Sequence, residues 1–115
     1  MGIMSQTDIA QRMAEAANHF LNALETGQQQ KAALDFSDTN ERENWHYIPR
    51  DRAGLPVKEM NGKARELALG LVAMGTSAAG YAKVKTIMGL ESTLAAIEGE
   101  GRRFPRDPEL YYLSI

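Results

Sequence analysis

Residues 61–99 read NGKARELALGLVAMGTSAAGYAKVKTIMGLESTLAAIEG, and this run decides the fold class. Asn61 is a good helix cap, and Ala64, Leu67, Ala68, Leu71 and Val72 recur at helical spacing behind it. Gly75 ends the first segment, and Thr76 or Ser77 opens the next almost at once. The second segment, from about Ala78 to Glu98, carries an apolar stripe of Val84, Ile87, Leu90, Leu94 and Ile97. So short a connection predicts an antiparallel helix hairpin. Gly80 and Gly89 weaken the second helix by roughly 1 kcal/mol each relative to alanine, which points to another backbone passing close by. Gly99 and Gly101 terminate it.

Moving outward toward the N-terminus, Ser5 or Thr7 caps a helix with Asp8 in its first turn. Ile9, Met13, Ala16, Ala17, Phe20, Leu21 and Leu24 form its apolar side, and Gly27 is the expected terminator. His19 lies at the edge of that side and reads as a boundary histidine, because no second metal-type residue stands at helical spacing from it. A short helix over Gln28–Leu34 follows, stopping near Asp35. Phe36 is expected to anchor the turn in the core. Ser37 and Asp38 can cap a single turn through Thr39, Asn40, Glu41 and Arg42. Met60, Met74 and Met88 read as core filler.

Two segments have strand character. Trp45, Tyr47 and Ile48 prefer extended backbone, and Pro49 pushes Ile48 the same way. Leu55-Pro56-Val57 then returns to the core. At the far end, Asp107-Pro108-Glu109 makes a cap or turn, and Tyr111 to Ile115 reads as a strand. The only strand candidate available to pair with it is the segment from Trp45 to Ile48. An unpaired strand cannot satisfy its own backbone groups, which implies that the chain stops inside a larger fold or is completed by another chain. The expected fold is mainly α, with three to four helices, an antiparallel helix hairpin and one or two short strands, as part of a larger α+β fold.

The totals exclude several classes. The chain has 115 residues, 43% apolar and 24% charged, with a formal charge of -2 and no cysteine. That balance fits a globular protein and offers no net basic face for nucleic acid or an anionic membrane. Disulfides, thiolate metal sites and cysteine nucleophiles are excluded. No apolar run reaches the roughly 20 residues that span a bilayer, and the first residues lack a signal core. The expected location is the cytoplasm.

The unusual chemistry is concentrated in Asn44-Trp45-His46-Tyr47-Ile48-Pro49-Arg50, with Arg52 just beyond. No phosphate loop, dinucleotide fingerprint, zinc motif or nucleophile elbow is present. Trp45, His46, Tyr47, Arg50 and Arg52 make a candidate site for an anionic small molecule, a carboxylate or phosphate, since guanidinium groups recognise both. The alternative is that Trp45 and Tyr47 fill the core while the arginines pair with Asp35, Asp38, Asp51 or Glu59. Glu91 adjoins the stripe of the long helix and is expected to pair with an arginine or lysine. His46 and Glu91 are the candidate catalytic groups. Arg102, Arg103, Arg106 and Asp107 read as a solvated basic loop, with phosphate binding as the lesser reading.

The motifs around this stretch resemble the uncharacterised proteins grouped as the family of unknown function numbered 3500. The matching residues are Asn44 to Arg50, Arg52, Gly54-Leu55-Pro56, Glu59-Met60, Gly80-Tyr81, Ile87-Met88, Leu90-Glu91, Glu98-Gly99, Arg106 to Glu109 and Tyr111-Tyr112. The likeness covers residues 36–115 in register and the first helix loosely. It implies a longer protein that continues into a mixed α and β region, so that residues 1–115 are the N-terminal helical portion of a larger domain. It implies no activity. Trp45, His46, Arg50, Arg52, Tyr81 and Glu91 are the positions that match the family's motifs. Two functional expectations follow. In one, the chain belongs to an enzyme whose anion pocket is completed by a further region, beside a divalent metal held mainly by histidines outside this chain, with His46 the one candidate ligand within it. In the other, it is a non-catalytic helical binding or assembly module, able to form a homodimer.

Overall fold

The computed structural model describes residues 5–101 and 103–115. Five helices and two short strands follow in the order α1 (Gln6–Asn22), α2 (Thr26–Ala32), α3 (Thr39–Arg42), β1 (Leu55–Pro56), α4 (Gly62–Met74), α5 (Ala78–Glu98) and β2 (Tyr112–Leu113), with a single 3-10 turn at Val57–Glu59. The chain is mainly helical with one small antiparallel sheet, as the sequence predicts.

Local chemistry sets most helix boundaries. The Ser5 hydroxyl accepts the Asp8 N–H at the head of α1, the Asn61 side chain accepts the Ala64 N–H at α4, and the Ser77 hydroxyl accepts the Gly80 N–H at α5. Asp38 caps α3 in the same way. Each takes one of the amide hydrogens that a helix leaves orphaned. The end of α1 corrects the expectation at Gly27, because the helix stops at Ala23. The Gln29 side-chain amide donates to the carbonyls of Leu21 and Leu24 at 2.9 and 3.3 Å, closing α1 from outside. Gly27 then falls inside the first turn of α2, which starts after Glu25.

The core lies between α1 and α4 and is closed by the sheet. Phe20, Leu24, Ala32, Leu55, Val57, Met60, Ala64 and Ala68 are buried together, with Tyr111, Leu113 and Ile115 packed against them. Ala64, Ala68 and Leu71 share one face of α4, and the small side chains let that face sit close to α1. Contact between α4 and α1 is far more extensive than that between α4 and α5. The tight turn at Gly75–Ser77 is as predicted, but hairpin packing is not what holds α4.

β2 has its partners within the chain, contrary to expectation. Leu55 pairs with Leu113 and Pro56 with Tyr112 in antiparallel register. The Val57 N–H donates to the Tyr111 carbonyl at 2.8 Å, and that of Lys58 to Glu109 at 3.0 Å. On the other flank, the Ile115 N–H donates to Ala32 at 2.7 Å while its carbonyl accepts from Leu34 at 3.0 Å. The C-terminal strand therefore lies between two segments. The strand predicted over Trp45–Ile48 does not form. Its carbonyls are taken by a side chain instead, as Arg52 Nη2 donates to His46 and Ile48 at 3.1 and 2.8 Å.

Gly54 makes the entry into β1 possible. Its φ is +106°, and a Cβ there would come 2.9 Å from the Leu113 carbonyl oxygen. Only glycine meets both demands without strain. Other expectations need correcting. Phe36 is exposed, under the Arg42 guanidinium at 4.2 Å from its ring centre, and does not enter the core. Met60 is buried as expected, Met88 is half-buried, and Met74 is exposed at the end of α4. No residue of α5 is fully buried. Its inner side is the half-buried set Tyr81, Val84, Met88, Glu91 and Ala95, and most of the predicted stripe lies outside it. Gly89 faces open space, so no neighbouring backbone explains it. No helix among the described residues is long and apolar enough to cross a membrane.

Candidate functional site

The loop that fails to form a strand becomes one wall of a cleft of about 400 Å³. Tyr47, Ile48, Pro49, Arg50 and Arg52 line that wall. The facing wall is Glu91 of α5 with Pro105, Arg106, Asp107, Leu110, Tyr111 and Tyr112 from the return to β2. The volume suits a small metabolite-sized ligand.

The polar groups of the two walls differ in how they are occupied. On the far wall, Arg106 makes a bidentate pair with Glu98, Nε to Oε1 at 2.8 Å and Nη2 to Oε2 at 3.0 Å. That hydrogen bonding holds its proton even more tightly than usual. Asp107 meets Lys58 at 2.8 Å and accepts the Glu109 N–H, and both contacts push its carboxyl below the ordinary range. The Tyr111 hydroxyl donates to Glu91 Oε1 at 3.0 Å. Burial first, and that hydrogen bond second, push the phenol up to about 12. Tyr111 is therefore a donor at neutral pH.

On the near wall, Arg50 Nη1 lies 2.9 Å from His46 Nε2, while Arg52 donates to the two backbone carbonyls already described. Among the described residues neither arginine meets a carboxylate. The expected pairing with Asp35, Asp38, Asp51 or Glu59 is not found. Asp38 accepts from the Glu41 N–H, and Glu59 pairs with Lys31 at 3.0 Å. Two guanidinium charges thus stand at the cleft without a carboxylate partner among the described residues, Arg50 oriented by the His46 ring and Arg52 by backbone carbonyls.

The site set predicted from sequence is brought together in part. Tyr47, Arg50, Arg52 and Glu91 line the cleft, although Glu91 bonds a tyrosine in place of the expected arginine or lysine. His46 touches the site through Arg50 and is not itself a lining residue. Trp45 is outside the lining, 76% exposed, with its ring centre 6.0 Å from that of Tyr47, itself 84% exposed. The alternative in which these two aromatics fill the core is excluded. Tyr81 is half-buried on α5, with Lys85 5.8 Å from its ring centre. His19 is exposed on the last turn of α1.

Tyr111 was not legible as a site residue, and Arg106 only through the lesser, phosphate-binding reading of its run. Arg106 belongs to the run read as a solvated loop, yet its side chain is mostly covered and paired. Of that run, Arg102 lies outside the described residues, and Arg103 stacks on Phe104 at 5.3 Å. The one available signal was the half-buried setting of Glu91, which demanded a donor from elsewhere in the chain. Among the described residues, no group of three or more histidine, aspartate or glutamate side chains could hold a metal ion.

A search of curated proteins and a search of solved structures each find no match. The model of one family, described as "Protein of unknown function (DUF3500)", matches residues 6–115, extending the likeness through the whole of α1. The chain belongs to this family of unknown function.

Proposed function

We propose that the cleft binds an anionic small molecule through Arg50 and Arg52. The observation that carries this is the absence, among the described residues, of any carboxylate against either guanidinium, beside a cleft of about 400 Å³. A solvated arginine at a loop tip is ordinary, but two held in place at one cavity by a histidine ring and by backbone carbonyls are pre-oriented for an anionic acceptor such as a carboxylate or phosphate. The Tyr111 hydroxyl gives its one hydrogen to Glu91, so the pair offers acceptors on the facing wall, suited to a ligand that also bears a hydroxyl. His46 is a positioning residue that acts through Arg50.

Calorimetric titration with inorganic phosphate and with citrate tests this. The double change Arg50→Ala and Arg52→Ala weakens binding by at least about tenfold for the probe that binds, with the melting temperature within about 2 °C of the parent, as for exposed residues. Unchanged affinity in the double variant, or no binding of either probe by the parent, removes the reading. A second reading, a non-catalytic assembly module, is favoured by a different observation, the uncovered apolar residues of α5.

A further inference from the structure

α5 is unusual in that its most apolar line is not its inner side. Ile87, Leu90, Leu94 and Ile97 are 56%, 48%, 37% and 75% exposed. They follow one another at steps of three, four and three residues, the spacing of a coiled-coil seam. The half-buried residues Tyr81, Val84, Met88, Glu91 and Ala95 form a separate line that faces the body of the protein. From Thr86 to Ile97 the only charged residue is Glu91, and it is bonded to Tyr111. The exposed line is therefore flanked by uncharged helix.

Two features say what would cover it. The line reads Ile-Leu-Leu-Ile with the same steps in either direction, which is what a surface needs to meet its own copy across a two-fold axis. The charges on the helix and just past its end are also unequally divided. Lys83 and Lys85 lie before the line, and Glu98 and Glu100 after it. Parallel helices would set like charges together, whereas antiparallel helices set the basic end of each against the acidic end of the other. Glu98 is held by Arg106, which leaves Glu100, just past the end of α5, to meet Lys83 across the contact. We propose that α5 pairs antiparallel with α5 of a second copy, Ile87 of each facing Ile97 of the other and Leu90 facing Leu94. The contact does not depend on what the cleft binds.

Sedimentation velocity over a concentration series, with the full chain, is the first test. The parent is expected to show a discrete dimer that Leu90→Lys and Leu94→Lys each convert to monomer. Circular dichroism should be unchanged, because both side chains are already substantially exposed. Direction is read separately. The chain has no cysteine, so Ala82→Cys accepts a single spin label on the exposed side of α5. In the antiparallel pair the two labels lie about 30 Å apart along the helix axis. In a parallel pair they come within about 20 Å. A monomer at every concentration, a dimer that survives Leu90→Lys with intact helix content, or the shorter label distance would each overturn the proposal.

Discussion

Replacing Gly54 by alanine should be the most damaging small change in this chain, and its cost has two separable parts. At φ +106° an alanine is held in a region that L-residues rarely adopt, which costs about 1–3 kcal/mol. The new methyl would also lie 2.9 Å from the Leu113 carbonyl oxygen and 2.5 Å from Ser114 Oγ. The serine can rotate away, but the carbonyl belongs to the β1–β2 pairing and cannot move without opening it. Crowding of that kind adds about 1–3 kcal/mol. A total of about 2–6 kcal/mol is a large share of the stability of a domain this size. At roughly 4 °C per kcal/mol, the melting temperature falls by about 8–24 °C. Gly99→Ala is the matched control, with φ +69° and nothing within 4 Å of the place its methyl group would take, so it bears only the backbone share. Urea denaturation of both variants gives the difference directly. If Gly54→Ala is no worse than Gly99→Ala, the close approach of β2 is wrong, and with it the account of how the cleft loop is tethered to the sheet.

Other expectations follow from the same structure. Gly89→Ala should stabilise the chain by about 1 kcal/mol, since the site is open helix surface, and a loss of stability in urea would reveal a backbone neighbour that the fold does not contain. Leu55→Ala should cost about 2–5 kcal/mol, whereas Phe36→Ala should stay within about 0.5 kcal/mol, and equal costs in the same urea series would contradict the burial of one and exposure of the other. Asn61→Ala and Ser77→Ala should each cost about 1 kcal/mol through the lost caps, read from thermal melts. Tyr111 is expected to ionise near pH 12; because the folded chain holds this proton more tightly than the unfolded chain does, stability falls as pH rises from about 10 through about 12. In an ultraviolet phenolate titration, Glu91→Gln should lower that midpoint yet leave it above the ordinary 10.0, burial being the larger cause, and an unmoved midpoint would count against the Tyr111–Glu91 bond.

What the sequence disclosed, and what it withheld, divides by range. The ends of α4 and α5 were readable because Asn61, Gly75, Ser77 and Gly99 act on amides a few residues away. The single turn after Asp38 was readable for the same reason. The partner of β2 was not, because nothing local to Leu113 announces Leu55 or Ala32. Trp45 and Tyr47 misled the strand assignment through their intrinsic preferences, and the competing influence was a guanidinium several residues on, Arg52, which took the carbonyls a ladder would have used. The stripe on α5 shows a further limit. Periodicity reports that a helix has an apolar side, and it does not report that anything inside the same chain covers that side. At the cleft, residue type alone found Arg50, Arg52 and Glu91, while Arg106 and Tyr111 needed three-dimensional proximity.

The position of β2 between residues 32–34 and 55–57 also governs the order in which this chain can assemble. Helices α1, α2, α4 and α5 are local and form quickly, but the segment that locks them together is the last to leave the ribosome among those described. Closure therefore waits on contacts that join distant parts of the chain, and such contacts slow folding because the intervening loops must be ordered first. Until then the apolar surfaces of α1 and α4 are formed without their cover. The interval between helix formation and strand insertion is the period in which a newly made copy is most open to aggregation.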